Sequence, residues 1–152
     1  MPSAARDSHM LMALHEAEEA AARGEVPVGA VIVAKDGQVL ARAGNRMRDH
    51  ADPTAHAEML AIQAACRKLG TSRLADCDLY VTLEPCTMCA AAISFARLRR
   101  LYYGAADPKG GGVQHGARVF AQATCHHTPE IYDGMEAARA AELLKQFFAA
   151  RR

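Results

Sequence analysis

Apolar residues recur at helical spacing near the start of the chain, at Met10, Ala13, Leu14, Ala17, Ala20 and Ala21, and Gly24 follows. This pattern predicts an amphipathic helix ending near Arg23. Val28 to Ala34 and Val39 to Ala43 are apolar runs joined by Lys35-Asp36-Gly37-Gln38, and an Asp-Gly pair between such runs predicts a hairpin of two antiparallel strands. Gly44 to Asp52 is polar and arginine-bearing. Asp52-Pro53-Thr54 then offers a capping residue with a proline suited to a first turn, so a second helix is expected to open there, run to Leu69 and stop at Gly70. Leu79 to Leu83 reads as a buried strand, Thr87 to Ala96 as an alanine-rich helix, Leu101 to Tyr103 as a short aromatic strand and Ala137 to Ala150 as a closing helix.

Helices alternating with short apolar strands imply parallel pairing with helices on both faces, and the initial hairpin adds an antiparallel edge. The expected fold is α/β, a three-layer α/β/α arrangement around a mixed sheet. A chain of 152 residues is of ordinary single-domain length, and one domain over residues 1–152 is expected. Gly104 to Gly134 breaks the pattern with Gly110-Gly111-Gly112 and several histidines. A loop of that length in a compact domain is usually a lid, a binding loop or a holder of short elements.

Charge changes the picture only locally. Eighteen Lys and Arg stand against 17 Asp and Glu, a net charge of +1, so no global field announces nucleic acid or a membrane surface. Arginines do bunch at Arg42, Arg46 and Arg48, at Arg97, Arg99 and Arg100, and at Arg151 and Arg152. Such runs are commonly no more than solvated faces. Five cysteines, an odd number without a disulfide-like layout, argue for a reducing compartment, with Cys66, Cys77 and Cys125 as buried small hydrophobes. No apolar run is long enough to span a bilayer and the N-terminal residues lack a leader pattern, so the cytoplasm is the expected location.

The chemistry concentrates in His56-Ala57-Glu58 and, about thirty positions later, Pro85-Cys86-Thr87-Met88-Cys89. Cys86 and Cys89 are three apart and share a helix face, where the positive helix end favours the thiolate that zinc needs. With His56 they make three ligands, the count of a catalytic zinc site with an open fourth corner rather than a closed structural one. His56 and Glu58, two apart, would point to opposite sides of a regular helix, so His56 is expected in an irregular first turn with Glu58 bordering the same cavity. Zinc brings bound water to a pKa of about 7. Glu58 would then take a proton from the zinc-bound water, deliver it to a ring nitrogen of the substrate and later protonate the departing amine. Two other readings of the cysteines remain, a thioredoxin-like redox pair and a structural zinc completed by His50, Cys77, Cys125, His126 or His127. Glu58 by itself is also compatible with an ordinary acid of a first helical turn.

These motifs resemble the zinc-dependent cytidine and deoxycytidylate deaminase superfamily. Val26-Pro27-Val28-Gly29-Ala30-Val31, Gly44-Asn45-Arg46, Asp52 to Glu58, Leu79 to Ala90 and Tyr103 to Lys109 are similar to the bacterial tRNA-specific adenosine deaminases within it. The resemblance implies a five-stranded mixed sheet between helices and a homodimer with one zinc per subunit. It also implies hydrolytic conversion of the wobble adenosine in a tRNA anticodon loop to inosine. By position it assigns zinc to His56, Cys86 and Cys89, proton transfer to Glu58, and substrate contacts to Asn45, Asp107 and Phe148. Asn45 alone would read as a turn residue after a strand. Gly110 to Arg118 and Cys125 to Pro129 depart from the family pattern, and Gly44 stands where an aromatic often precedes the asparagine. Two other functions are compatible with the motifs: deamination of a free base or nucleoside such as guanine, cytosine or cytidine, and a zinc-stabilised RNA-binding protein without turnover.

Overall fold

A computed structural model describes residues 3–151. Met1, Pro2 and Arg152, the last of the C-terminal arginine pair, lie outside the described residues. The elements, in order, are α1 (Ser3–Ala22), β1 (Gly29–Val33), β2 (Val39–Gly44), α2 (Ala57–Leu69), β3 (Asp78–Leu83), α3 (Thr87–Ala96), β4 (Arg100–Ala105), a single 3₁₀ turn (Val119–Ala121), β5 (Glu130–Tyr132) and α4 (Ala137–Ala149). The sheet runs β2-β1-β3-β4-β5. β1 is antiparallel to both β2 and β3, while β4 is parallel to β3 and to β5. The hairpin therefore supplies one inner strand and one edge, and the parallel half follows by a helical crossover, as the alternating pattern required.

Strand side chains alternate between faces. Ala30, Ile32, Leu79, Val81, Leu101 and Tyr103 pack with Ala57, Ala61, Ala65, Ala90 and Ile93 of α2 and α3. Val31, Val33, Tyr80 and Tyr102 pack with Met10 and Ala13 of α1, and Ala105 with Leu14 and Ala140 of α1 and α4. Helices thus cover both faces of the sheet. Burying a large side chain such as Leu14, Ile93 or Leu101 stabilises the fold by about 1.5–3 kcal/mol each.

The alanines of α1 serve close approach. A Cβ at Gly29 would fall inside the contact radius of the Ala13 carbonyl oxygen and 2.7 Å from the Ala17 nitrogen. One at Gly44 would lie 2.7 Å from the Glu16 carbonyl oxygen and 3.1 Å from the Ala20 Cβ. The helix backbone rests nearly on the strands, and Gly29 and Gly44 leave the room for it.

Two expectations need correction. α2 begins at Ala57, not at Asp52: the Asp52 carboxylate accepts from the Thr54 backbone N–H at 2.8 Å and its hydroxyl at 2.7 Å, closing a local turn instead of capping a helix. Of the three cysteines expected in the core, Cys77 is buried, but Cys66 and Cys125 are only half-buried. The Cys125 thiol lies 3.4 Å from the Ser94 hydroxyl and donates to the His127 carbonyl at 3.2 Å, polar company that a core position would not offer.

Candidate active site

Two helix starts meet at one point. His56 is the N-cap residue of α2, with extended backbone (φ −75°, ψ 152°), and Cys86 is the N-cap residue of α3 (φ −70°, ψ 174°). Each gives its carbonyl to the first helical bond, His56 to Leu60 at 3.0 Å and Cys86 to Ala90 at 2.8 Å. Neither side chain caps its own helix, so both are free to turn toward the other. The irregularity expected between His56 and Glu58 is this cap: the helix starts after His56, and Glu58 already sits in its first turn.

The Cys86 and Cys89 sulfurs lie 3.6 and 3.5 Å from His56 Nδ1. Ligands at about 2.3 Å (sulfur) and about 2.05 Å (nitrogen) from a tetrahedral centre are separated by about 3.6 Å. The spacing is thus that of three corners of a zinc tetrahedron, and the three donor atoms lie within 4.8 Å of one another. Donor types agree with the geometry. Cys86 is held down to about 4, chiefly by the thiol of Cys89 donating to it, with His56 also contributing against the opposing effect of burial. Cys89 is pushed up because it keeps the proton it donates and is buried. His56 is raised, first by its contact with Cys86. Zinc binds thiolates and neutral imidazole, so the ion would displace the protons that Cys89 and His56 hold, and two sulfurs with an imidazole at two positive helix ends are donor types it takes.

Glu58 is 4% exposed. Burial raises its carboxyl to about 7, only partly opposed by its own backbone N–H, with the Cys86 charge adding to the rise. A group poised there both takes and gives a proton at neutral pH.

Asn45, His56, Glu58, Cys86 and Asp107 line one cavity of about 240 Å³, with Val26, Val28, Met47 and Leu83 as its apolar wall. This is below the roughly 300–1,000 Å³ of drug-sized sites and admits a single ring system rather than an extended ligand. Cys89 is fully buried and does not line this cavity. Phe148 is not among the residues lining the cavity. It stands half-exposed near the end of α4, edge-on to Phe147 with ring centroids 5.4 Å apart. Asn45 is more than a turn residue: its amide nitrogen donates to the Val26 carbonyl at 3.0 Å and its oxygen accepts from the Ala57 N–H at 2.8 Å. It thereby ties the end of β2 to the first residue of α2, beside His56.

Three buried carboxylates escaped sequence reasoning, Glu25, Asp78 and Glu84. Glu25 accepts from the backbone N–H groups of Arg48 at 3.1 Å and Asp49 at 2.9 Å, fixing the arginine-bearing loop next to Asn45. Glu84 binds the glycine-rich loop. The available signal was an acid placed against an apolar run with no charged neighbour, at Leu83-Glu84-Pro85, which in a buried position demands partners. The arginine bunches are largely engaged: Arg42 pairs with Glu16 at 2.8 Å, Arg46 with Asp49 at 2.7 Å, and Arg99 makes two 2.9 Å bonds to Asp78.

The order and pairing of the sheet with its flanking helices are those of the cytidine-deaminase-like fold, and the MafB19-like deaminase family model matches residues 5–152. A tRNA-specific adenosine deaminase of Agrobacterium fabrum is 60% identical over 149 residues, covering 98% of this chain and 97% of the relative. The chain belongs to the tRNA-specific adenosine deaminase family. A solved structure from a study of A-to-I editing by tRNA:A34 deaminases at the wobble position superposes with a TM-score of 0.88 at 60% identity, covering 90% of this chain and 99% of that one. Guanine deaminase from Bacillus subtilis is more distant, with a TM-score of 0.66 at 32% identity over 99% of this chain and 94% of that one.

Proposed function

We propose that this chain hydrolytically deaminates the wobble adenosine of a tRNA anticodon loop to inosine, with His56, Cys86 and Cys89 holding one zinc ion. The observation that carries the reading is the buried Glu58 carboxyl in a base-sized cavity beside three donors at tetrahedral spacing. When bound, zinc supplies Lewis-acid activation of water at neutral pH. Glu58 moves the protons: its carboxylate takes one from the attacking water and passes it to a ring nitrogen of adenine, then takes the second from the hydroxyl left on the base carbon and gives it to the departing amine. The Asn45 amide and the Asp107 side chain border the space where the base would sit and are proposed to contact it. Phe148, exposed at the chain's end, is proposed to lie along the RNA flank. A base within a nucleic acid must be extruded to enter a cavity of this size, and an anticodon loop presents its bases unpaired.

The test is a parallel assay of the zinc-loaded protein on an adenosine-bearing anticodon stem-loop, free adenosine, guanine, cytosine and cytidine. Inosine is expected in the RNA alone. Turnover of a free base instead would transfer the same chemistry to a nucleobase deaminase. Arg46 and Arg48 adjoin Asn45 and Met47 of the cavity wall, so log(kcat/KM) on the stem-loop is expected to fall against log salt with a slope of about −1.4, the counterion release from two phosphates of an unpaired loop. A flat salt response would remove the arginines from the reading.

The same reading includes one domain over residues 1–152, a cytoplasmic location and a homodimer. Five free cysteines suit a reducing compartment, no helix among the described residues is long and apolar enough to cross a membrane, and a secreted pool on fractionation would contradict the assignment. For the dimer, support comes from α2 and α3, whose outer face carries an open apolar groove of about 640 Å³ ending at Phe95, 71% exposed. A second copy of the chain covering this groove would bury Phe95 and Leu69. Equilibrium sedimentation at micromolar concentration should give the dimer mass, and a monomer there would overturn it.

A further inference from the structure

We propose that Glu84 is a positioning residue whose carboxylate builds the loop wall of the substrate cavity before any substrate arrives; this rests on the reading of that cavity as the adenosine site. Glu84 ends the run from β3 into Pro85-Cys86, and its side chain is fully buried. Every hydrogen-bonding position it has is taken by one stretch of chain. Oε1 accepts from the Asp107 N–H at 3.0 Å and lies 2.7 Å from His115 Nδ1. Oε2 accepts from the backbone N–H groups of Val113 at 3.2 Å, Gln114 at 3.0 Å and His115 at 3.1 Å. A carboxylate offers about four lone-pair sites, so five donors leave none for a substrate. Glu84 touches the cavity but acts through the loop.

The glycine run follows from this knot. A Cβ at Gly111 would stand 2.5 Å from the Glu84 carboxylate, and one at Gly112 would stand 2.6 Å from the Thr87 nitrogen in the first turn of α3. Gly112 also donates to the Pro85 carbonyl at 2.8 Å. The loop therefore presses on the acid and on the start of the helix that carries both cysteines. It has little apolar content of its own to hold this shape: Gly110 to Gly112 have no side chains, and Val113 is the buried apolar residue of the stretch. Asp107 and Gly110, which line the cavity, hang from the same knot, Asp107 accepting in turn from the Gly110 N–H at 2.9 Å. Burial alone would raise the Glu84 carboxyl, but the N–H groups and His115 outweigh it and hold it below the usual value, in keeping with an anion fully enclosed by donors. A wall ordered in advance removes from substrate binding the cost of ordering it.

The experiment compares wild-type and Glu84→Gln protein, both zinc-loaded, by amide hydrogen exchange without substrate, by zinc content, and by kcat and KM on the anticodon stem-loop. The substitution keeps the side-chain volume but turns amide hydrogens toward the loop's donors. Exchange over residues 107–116 is expected to quicken at least tenfold while residues 87–96 and zinc content stay unchanged. KM should rise about tenfold, with kcat within about threefold, the signature of a loop that must order on binding. Unaltered exchange over 107–116, an unaltered KM, or a loss confined to kcat would each overturn the proposal. Should Glu84→Gln not fold, His115→Ala removes one donor and leaves the buried acid with its backbone partners; changes of the same kind, about threefold, are expected, and none would overturn it. Exchange is read without substrate, so failure of wild-type turnover on RNA would count against the adenosine reading alone.

Discussion

Glu58→Gln lowers turnover on the anticodon stem-loop by about 10²–10⁴-fold, the range for losing a positioned general acid-base group. Zinc content is expected to remain at one ion per chain, because the donors His56, Cys86 and Cys89 are separate side chains at the ends of two helices. The substitution keeps the shape of a residue only 4% exposed, so packing is retained. It removes the one property the site has given this residue, a carboxyl raised to about 7 by burial. Turnover within tenfold of wild type, measured with zinc confirmed in the same sample, would assign proton transfer elsewhere. A drop in zinc parallel to the drop in rate would mean that Glu58 supports the donors instead. A protein that binds the stem-loop with zinc in place and never turned over, before or after the change, would be the non-catalytic RNA binder that the motifs also allow.

The largest stability effect is expected far from this chemistry. Gly29→Ala places a Cβ against backbone, inside the contact radius of the Ala13 oxygen and 2.7 Å from the Ala17 nitrogen. Neither atom is the end of a flexible side chain. Relief requires α1 to lift from the sheet, loosening Met10, Ala13, Leu14 and Ala17, all at most 1% exposed. Overpacking costs about 1–3 kcal/mol and occasionally more; a displaced helix puts this case near about 3 kcal/mol. That is a large share of the roughly 5–15 kcal/mol that holds a typical domain together. A urea midpoint shifted by the equivalent of less than about 1 kcal/mol would show that α1 slides without penalty.

Much of this was legible because the determinants are local. α3 occupies the predicted Thr87–Ala96, and α2 stops where Gly70 takes a left-handed backbone (φ 68°) and donates back to Arg67 and Cys66. The donor set was legible for the same reason, since the spacing of Cys86 and Cys89 is a property of one helical turn. What stayed hidden depends on distant partners. Asp52 has the composition of a cap but is drawn into a bond with Thr54, and the helix waits until Asn45, from another element, accepts from Ala57. β5 is three residues on the sheet edge, with only Ile131 turned partly inward, too short to show alternation. Gly110-Gly111-Gly112 could be read as a loop, but the reason for the glycines lies in Glu84 and Thr87, more than twenty positions away.

The N-cap positions of α2 and α3 carry a histidine and a cysteine that form no cap bond. Asn, Asp or Ser at such a position typically adds about 1 kcal/mol to a helix. On the proposed zinc assignment, heat tolerance and catalysis therefore pull in opposite directions at these two sites. A library of variants ranked by melting temperature in the absence of metal would favour replacements at His56 and Cys86 that dismantle the ion's cradle, and the same ranking with zinc present would reverse, since only the loaded form recovers through ligation what the caps forgo.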